Sequence, residues 1–350
     1  MTEKTGSIEG TRLLIGVAAL TIIIWGVNQA QAALMSSLVA VFLAALGTPL
    51  VLWLQRRRVP SAMAVLAVLA LIVLVLLLVG AFVGASLNGF TAALPAYQAS
   101  IQGQAAELTA MLAKKGIRVT EAMLLEYLNP AAAMKYAAEA LGGLGAALAN
   151  IVLILLTVLF ILLEAASFPV KLRAVLGDPS QKFPEFTRFI GDIQRYMLVK
   201  TVLAAAAGLL LGSWLAVLGV DSPVLWGFLA FLLLYIPHVG SILAGIPAVS
   251  LTLVQLGPGR AALVAAGYVA VNFIIGNLVE PKLMGKKLSL STLAVFLSLI
   301  FWGRMLGLVG AVLCIPLTMA LKFAFENNKN TRWLAVLLGP AVPENGAHHK

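Results

Sequence analysis

Long apolar runs alternate with short polar connectors along most of the chain, and this pattern predicts an all-α, polytopic membrane protein. Crossing the hydrocarbon core of a bilayer takes roughly 20 apolar residues in a helix. We predict six full spans on this basis. They are residues 13–27, 33–54, 62–87, 144–163, 201–220 and 261–279.

Two further apolar segments, 223–256 and 292–323, are interrupted near their centres, at 235–240 and 302–307. Each arm is shorter than the roughly 20 residues that a crossing needs. We therefore predict two hairpins that enter the membrane and turn back, eight membrane segments in all. Proline removes a backbone donor and glycine permits positive φ, so both residue types favour the reversals. The predicted turn residues are Pro237, Gly240, Gly303 and Gly307, and the predicted helix breaks are Pro247, Pro281 and Pro316.

The composition excludes a soluble domain. The chain is 61% hydrophobic and 11% charged, whereas ordinary globular chains carry about 25% charged residues. The net charge of +10 raises the question of nucleic acid, but Lys and Arg also accumulate in the cytoplasmic loops of membrane proteins. We therefore predict the lipid bilayer as a partner and no nucleic acid.

The distribution of basic residues predicts the orientation. With a cytoplasmic N-terminus and alternating spans, 18 of the 24 Lys and Arg residues fall on the inner side, as the positive-inside rule requires. Both termini are then cytoplasmic, the first hairpin opens outward and the second opens inward. Such inverted pairs are typical of secondary transporters, whose binding sites lie at discontinuous helices.

The N-terminus has an alternative interpretation as a signal peptide, because Lys4 and Arg12 precede an apolar run and Ala30-Gln-Ala32 resembles a cleavage site. Glu3 and Glu9 dilute the basic region, and many spans follow, so we favour an uncleaved first span. We divide the chain into N-terminal scaffold spans (1–87), an extracytoplasmic amphipathic segment (88–143), a span with a cytoplasmic amphipathic helix (144–200), a transport core with both hairpins (201–326) and a flexible cytoplasmic tail (327–350).

No catalytic signature is present. The sequence lacks a Gly-x-Ser-x-Gly elbow, a His-Glu-x-x-His motif and a phosphate-binding loop. Its single cysteine, Cys314, lies in an apolar run and forms neither an intrachain disulfide nor a zinc cluster. We predict that the protein is not an enzyme and holds no metal or cofactor.

Polar residues at membrane depth are the candidates for a transport pathway. A charge at the centre of a span costs roughly 2.5–3.5 kcal/mol, so such a residue is usually paired or faces water. Arg304, at the second turn, is interpreted as a substrate contact or, alternatively, as a snorkelling or structural cation. Glu280 has three interpretations: it carries a proton, it forms an ion pair with Arg304, or it forms an ion pair with Lys282.

Three uncharged candidates complete the pathway. Asn277 lies three residues before Glu280 and so shares a helix face with it, whereas Asn272 and Asn277 are five apart and do not share a face closely. Either asparagine could instead bond a neighbouring helix. His238, at the first turn, is a candidate for substrate binding or pH sensing, with capping or packing as the alternative.

The same stretches resemble the AI-2E family, the autoinducer-2 exporter-like permeases. The similar segments are Tyr196-Met-Leu-Val-Lys200, Tyr235-Ile-Pro-His-Val-Gly240, Gly276-Asn-Leu-Val-Glu-Pro-Lys-Leu-Met-Gly285 and Trp302-Gly-Arg-Met-Leu-Gly-Leu-Val-Gly310. The resemblance implies a bacterial inner-membrane permease, a homo-oligomer that is a pentamer in the family, and an elevator-like mechanism. It also implies a small polar solute or an ion as substrate.

Three functions remain open at this point. The first is a secondary exporter of a small polar metabolite, with the quorum-sensing signal autoinducer-2 as the named candidate. The second is a Na⁺(Li⁺)/H⁺ antiporter, which needs an intramembrane carboxylate, and the sequence offers only Glu280 and Glu164 near spans. The third is a membrane scaffold that transports nothing.

Overall fold

A computed structural model of the chain describes residues 18, 21–22, 25–114, 150–176, 184–237, 239–284, 290–328 and 330–340. Every regular element in these ranges is helical, as the hydrophobic pattern predicts. In chain order the elements are α1 (Gln31–Arg56), α2 (Ser61–Lys114), α3 (Ile151–Leu176), α4 (Pro184–Val217), α5 (Pro223–Leu233), α6 (Gly240–Leu256), α7 (Pro258–Asn272), a π-helical stretch (Phe273–Val279), α8 (Glu280–Met284), α9 (Thr292–Glu326) and α10 (Arg332–Leu338).

Five helical segments in the described ranges are long and apolar enough to cross a membrane. They are Gln31–Arg56, Ser61–Ser86, Pro184–Val217, Pro258–Met284 and Thr292–Glu326. Large apolar side chains remain exposed along them, for example Leu209 at 73% and Val269 at 69%. A helix that leaves so much apolar surface uncovered needs an apolar solvent. The first predicted span, 13–27, lies largely outside the described residues.

Helix ends do not coincide with the ends of the apolar runs. Helix α2 continues past Asn88 to Lys114, although the apolar run that we took as a span stops at residue 87. Its 54 residues are about 80 Å long at 1.5 Å per residue, so part of α2 projects beyond a bilayer of roughly 40–45 Å. Likewise, the predicted amphipathic helix at 185–200 and the span 201–220 form one helix, α4. Residues 115–143 of the predicted amphipathic segment and the first residues of the next predicted span, 144–149, lie outside the described residues.

The chain reverses direction between α5 and α6. Gly240 approaches the carbonyl oxygen of Leu233 so closely that a Cβ at this glycine would collide with it. In a continuous helix these residues would be about 10 Å apart along the axis. The break between Leu233 and Gly240 therefore overlaps the predicted interruption at 235–240 and begins one residue earlier. His238 itself lies outside the described residues.

A second reversal divides α9. Gly307 has φ 59° and ψ −144°, which are not helical angles. Beyond it, the Trp302 indole donates a hydrogen bond to the Thr318 hydroxyl at 3.1 Å. Sixteen residues of straight helix would place these groups about 24 Å apart, so the two arms of α9 run side by side. Only glycine adopts these angles readily.

The predicted breaks at two prolines are wrong, because α6 continues through Pro247 and α9 through Pro316. Membrane helices tolerate proline when neighbouring helices and local adjustments satisfy the freed backbone groups. Pro281 lies in α8, directly after the π-helical stretch. There the winding of the helix changes although the chain continues in the same direction.

Small residues allow the helices to pack closely. Helices α1, α2 and α3 bury Ala40, Ala44 and Ala64 against Ile154 and Val158. Helices α4 and α5 approach each other at Gly208 and Gly227, where a Cβ on Gly208 would lie 2.6 Å from the Gly227 carbonyl oxygen. Small residues at such contacts are the usual means of helix association in membranes. The packing holds α4 against α5 and thereby positions the middle of α4 beside the first reversal.

Candidate functional site

A cavity of about 310 Å³ lies where α4, the first reversal, the π-helical stretch and the first arm of α9 meet. Its wall mixes apolar side chains with polar groups, as is usual for solute sites. The polar lining residues are Lys200, Ser241, Asn272, Asn277, Glu280 and Thr292. Ile236 and Pro237 of the first reversal contribute part of the apolar wall.

Lys200 and Glu280 form an ion pair in this cavity. The Lys200 ammonium donates to both carboxylate oxygens of Glu280, at 2.8 and 3.0 Å. The Lys200 side chain is 7% exposed and that of Glu280 is 21% exposed. Since an isolated buried charge is very costly, each charge depends on the other for compensation. The pair is the main electrostatic feature of the cavity.

The partner of Glu280 differs from those that we considered. Neither Arg304 nor Lys282 contacts it; among the described residues, Lys200 is its ion-pair partner. Lys200 lies 80 residues away in sequence. The contact therefore cannot be predicted from the spacing of residues along the helix that carries Glu280. Arg195, on the same helix as Lys200, donates a hydrogen bond to the Leu283 carbonyl at 3.1 Å, which adds a second link between α4 and α8.

The π-helical stretch brings both asparagines to the cavity. A π-helix has i→i+5 hydrogen bonds and appears mostly as single-turn insertions at functional sites. Its wider turn places residues five apart on the same side, and both Asn272 and Asn277 line the cavity. The prediction that these two residues do not share a face is therefore wrong. It assumed α-helical winding, which ends at Asn272.

A hydrogen bond joins the first reversal to α4 beside Lys200. The Tyr235 hydroxyl donates to the Thr201 hydroxyl oxygen at 2.7 Å. The Tyr235 ring is held edge-on between Phe42 of α1 and Phe231 of α5. This contact positions Ile236 and Pro237, which directly follow Tyr235, at the cavity wall.

Arg304 and the second turn lie elsewhere. Arg304 is exposed and is not among the lining residues, and neither are Gly303 and Gly307. Twelve residues of helix separate Arg304 from Thr292 at the cavity, about 18 Å along the axis. Gly240 precedes the lining residue Ser241 without lining the cavity itself.

Sequence reasoning missed Lys200, Ser241 and Thr292. Lys200 had a recognisable signal, because it directly precedes the apolar run 201–220 and ends one of the family-like segments. We counted it only as an inner-side cation. Ser241 and Thr292 carried no signal, since hydroxyl residues are common at helix starts.

The chain matches the family described as AI-2E family transporter over residues 13–330. It belongs to the AI-2E transporter family. The AI-2 transport protein TqsA of Escherichia coli (strain K12) is 40% identical over 338 residues, which cover 97% of this chain and 98% of that protein. The putative transport protein YhhT of the same strain is 32% identical over 96% of both chains. A putative transport protein of Haemophilus influenzae is 34% identical over 94% of this chain and 96% of its own length.

Membership in the AI-2E family confirms the resemblance seen in the sequence and identifies a multi-pass membrane protein that transports a solute and is not an enzyme. It also sets aside the scaffold hypothesis. The family matches extend over the cavity and both reversals, because the matched range includes α1 through α9.

Proposed function

We propose that this AI-2E protein is a secondary transporter of the bacterial inner membrane that exports a small polar solute, with autoinducer-2 as the first candidate. One observation carries the proposal: the cavity brings together an ion pair, in which Lys200 is buried and Glu280 partly exposed, and four uncharged polar side chains between membrane-length helices. The relative named as an AI-2 transport protein is 40% identical over nearly the whole of both chains.

The cavity chemistry suits a hydroxylated solute. The ammonium of Lys200 donates and the carboxylate of Glu280 accepts, while Asn272 and Asn277 each do both. The oppositely charged groups compensate each other, so the cavity needs no net charge on its ligand. We place the solute beside this ion pair, with Pro237 forming the apolar wall opposite.

We further propose that the two reversals are re-entrant hairpins of inverted orientation and that residues 201–326 form the moving transport core of a homo-oligomeric elevator. The side-by-side arms of α9 support the hairpin geometry. Discontinuous helices at a binding site are typical of secondary transporters. Both termini would be cytoplasmic, as the distribution of basic residues indicates.

Flux into proteoliposomes tests the assignment of the cavity. With labelled autoinducer-2, we expect uptake above that of empty liposomes, and a loss of at least tenfold in Lys200→Gln, because the carboxylate is left without its partner. Lys322→Gln is the matched control, since Lys322 pairs with Glu326 outside the cavity.

Arg304→Gln decides between the cavity and the second turn. Because Arg304 lies about 14 Å along the helix from Val295, a cavity-lining residue on the same arm of α9, we expect this variant to retain transport. If Arg304→Gln loses transport and Lys200→Gln keeps it, the solute site is at the second turn, as the sequence predicted, and the cavity assignment is wrong.

A second candidate, a Na⁺(Li⁺)/H⁺ antiporter, is favoured by the position of Glu280. Its carboxylate is partly exposed to the cavity beside two amide side chains, and oxygen ligands of this kind suit hard cations. The same liposomes, loaded with a pH dye, test it. Antiport requires a sodium- or lithium-evoked pH change that Glu280→Gln abolishes. Exchange that survives in both Glu280→Gln and Glu164→Gln would exclude a carboxylate mechanism.

A further inference from the structure

The C-terminal helix α10 has an apolar face that no other described residue covers. Trp333 and Val336 are each 60% exposed, and Leu337 is 67% exposed. Their spacing of i, i+3 and i+4 places all three on one side of the helix. The opposite side is used for packing, since Ala335 is buried and Leu338 packs in the cluster around α9. The helix is thus apolar on both faces.

Two hydrogen bonds place α10 at the open end of the α9 hairpin. The backbone N–H of Ser291, directly before α9, donates to the Leu338 carbonyl at 2.9 Å. The Thr331 hydroxyl, directly before α10, donates to the Phe325 carbonyl in the last turn of α9 at 3.3 Å. Because the chain reverses at Gly307, the start and the end of α9 lie at the same face of the membrane. Helix α10 bridges them and therefore lies at that face.

The surroundings of this face indicate what covers it. The first turns of α9 expose Leu293 at 67% and Phe296 at 51%, so an apolar, lipid-facing surface begins two residues after Ser291. Tryptophan is enriched at membrane–water interfaces. Arg332, exposed at the start of α10, can extend its guanidinium to lipid headgroups while its stem stays in the apolar layer.

We propose that α10 is an interfacial helix whose Trp333, Val336 and Leu337 are embedded in the membrane surface. The partner is the lipid bilayer, the same bilayer that surrounds the membrane-length helices. The hydrogen bond between Ser291 and Leu338 links the embedded helix to the wall of the cavity, because Leu290 and Thr292, on either side of Ser291, line the cavity. The inference is independent of which solute is transported.

Site-directed spin labelling of the full-length protein in liposomes tests this placement. The background is Cys314→Ser, since Cys314 is the single cysteine of the chain. Nitroxides are attached to Trp333→Cys, Val336→Cys and Leu337→Cys, with Arg332→Cys as the headgroup-side control and Ala335→Cys as the protein-packed control. We expect the first three labels to collide mainly with oxygen, which concentrates in lipid. The label at 332 should collide mainly with a water-soluble nickel chelate.

Two results would overturn the proposal. Labels at 333, 336 and 337 that are as accessible to nickel as the label at 332 would place the face in water. Labels shielded from both reagents would place it against protein, such as a second copy of the chain.

A further measurement avoids perturbing the helix: lipids brominated near the headgroup should quench a part of the tryptophan fluorescence that disappears in Trp333→Phe. An equal quenched fraction in both proteins would contradict the proposal.

Discussion

At the scale of single residues, the ion pair between Lys200 and Glu280 is the contact on which the cavity depends. Lys200 lies at the junction between the amphipathic and the apolar half of α4 and is almost fully buried. Burying a charge is tolerated only when it is paired and hydrogen-bonded. A buried pair of this kind is weak evidence for stabilisation, because the desolvation penalty offsets the attraction. The ion pair therefore fits a role in binding better than a role in folding.

We predict an asymmetric effect of removing the two charges. Lys200→Met leaves a buried carboxylate without compensation and should destabilise the protein by about 3–5 kcal/mol, whereas the double variant Lys200→Met/Glu280→Gln should recover most of this loss. Thermal unfolding in detergent measures both.

The pair of Lys322 with Glu326 serves as the control. It joins residues four apart on one helix, with the Lys322 side chain 13% and that of Glu326 49% exposed, so Lys322→Met leaves a solvated carboxylate and should cost less than Lys200→Met. If Lys200→Met is equally mild, the ion pair is not the compensating contact that the geometry indicates.

At the scale of elements, the two reversals depend on glycine at different points and for different reasons. Gly307 supplies backbone angles that other residues reach only with strain, although there is open space around it. Gly310 is helical but lies against the Trp302 carbonyl and the Leu306 side chain, where no Cβ fits. One glycine allows the turn and the other allows the two arms to approach.

Alanine substitutions separate these reasons. Gly310→Ala should abolish stable folding of the hairpin, because the collision is with backbone, which cannot move aside. Gly307→Ala should cost about 1–3 kcal/mol through strain alone. Gly303→Ala is the matched control, since its Cβ would meet only Ala311 at an ordinary 3.7 Å. The measurements are the yield of folded protein after size-exclusion chromatography and the unfolding temperature. Normal folding of Gly310→Ala would contradict the close approach of the arms.

At the scale of the whole molecule, both reversals contribute to one apolar cluster, the first through Ile236 and Val239 and the second through Leu308 and Ala311. Leu308 and Ala311, next to the second turn, pack with the apolar cluster of α4, α5 and α6. The first reversal lines the cavity, whereas Gly303 and Gly307 do not. In this arrangement the first reversal lines the cavity, and the second packs in the apolar core beside it.

The inverted orientation that we propose for the two hairpins predicts opposite accessibility of their open ends. In oriented membrane vesicles, a cysteine replacing Asp221, next to the open end of the first hairpin, should react with an impermeant maleimide from outside only. One replacing Asn328, next to the open end of the second, should react from the cytoplasmic side only. Reaction of both from the same side would show that the hairpins are not inverted.

Much of this architecture follows from local sequence. The helical class, the starts of α1 and α2 and the turns near Gly240 and Gly307 depend on apolar runs, proline and glycine, whose effects act within a few residues. The placement of both termini on the cytoplasmic side remains a prediction from the distribution of basic residues. The extension of α2 past Asn88 was not foreseen, because the end of an apolar run marks the edge of the bilayer and not the end of a helix.

The sequence by itself determined that the protein is a helical membrane protein with discontinuous helices, because hydrophobic length and turn chemistry are encoded locally. The tertiary structure alone decided which polar groups meet. Lys200 and Glu280 are brought together by the packing of α4 against the end of α7–α8, and Asn272 and Asn277 share a wall because the helix is wound as a π-helix between them. Charge compensation across 80 residues depends on where helices pack, and no spacing rule along a single helix contains that information.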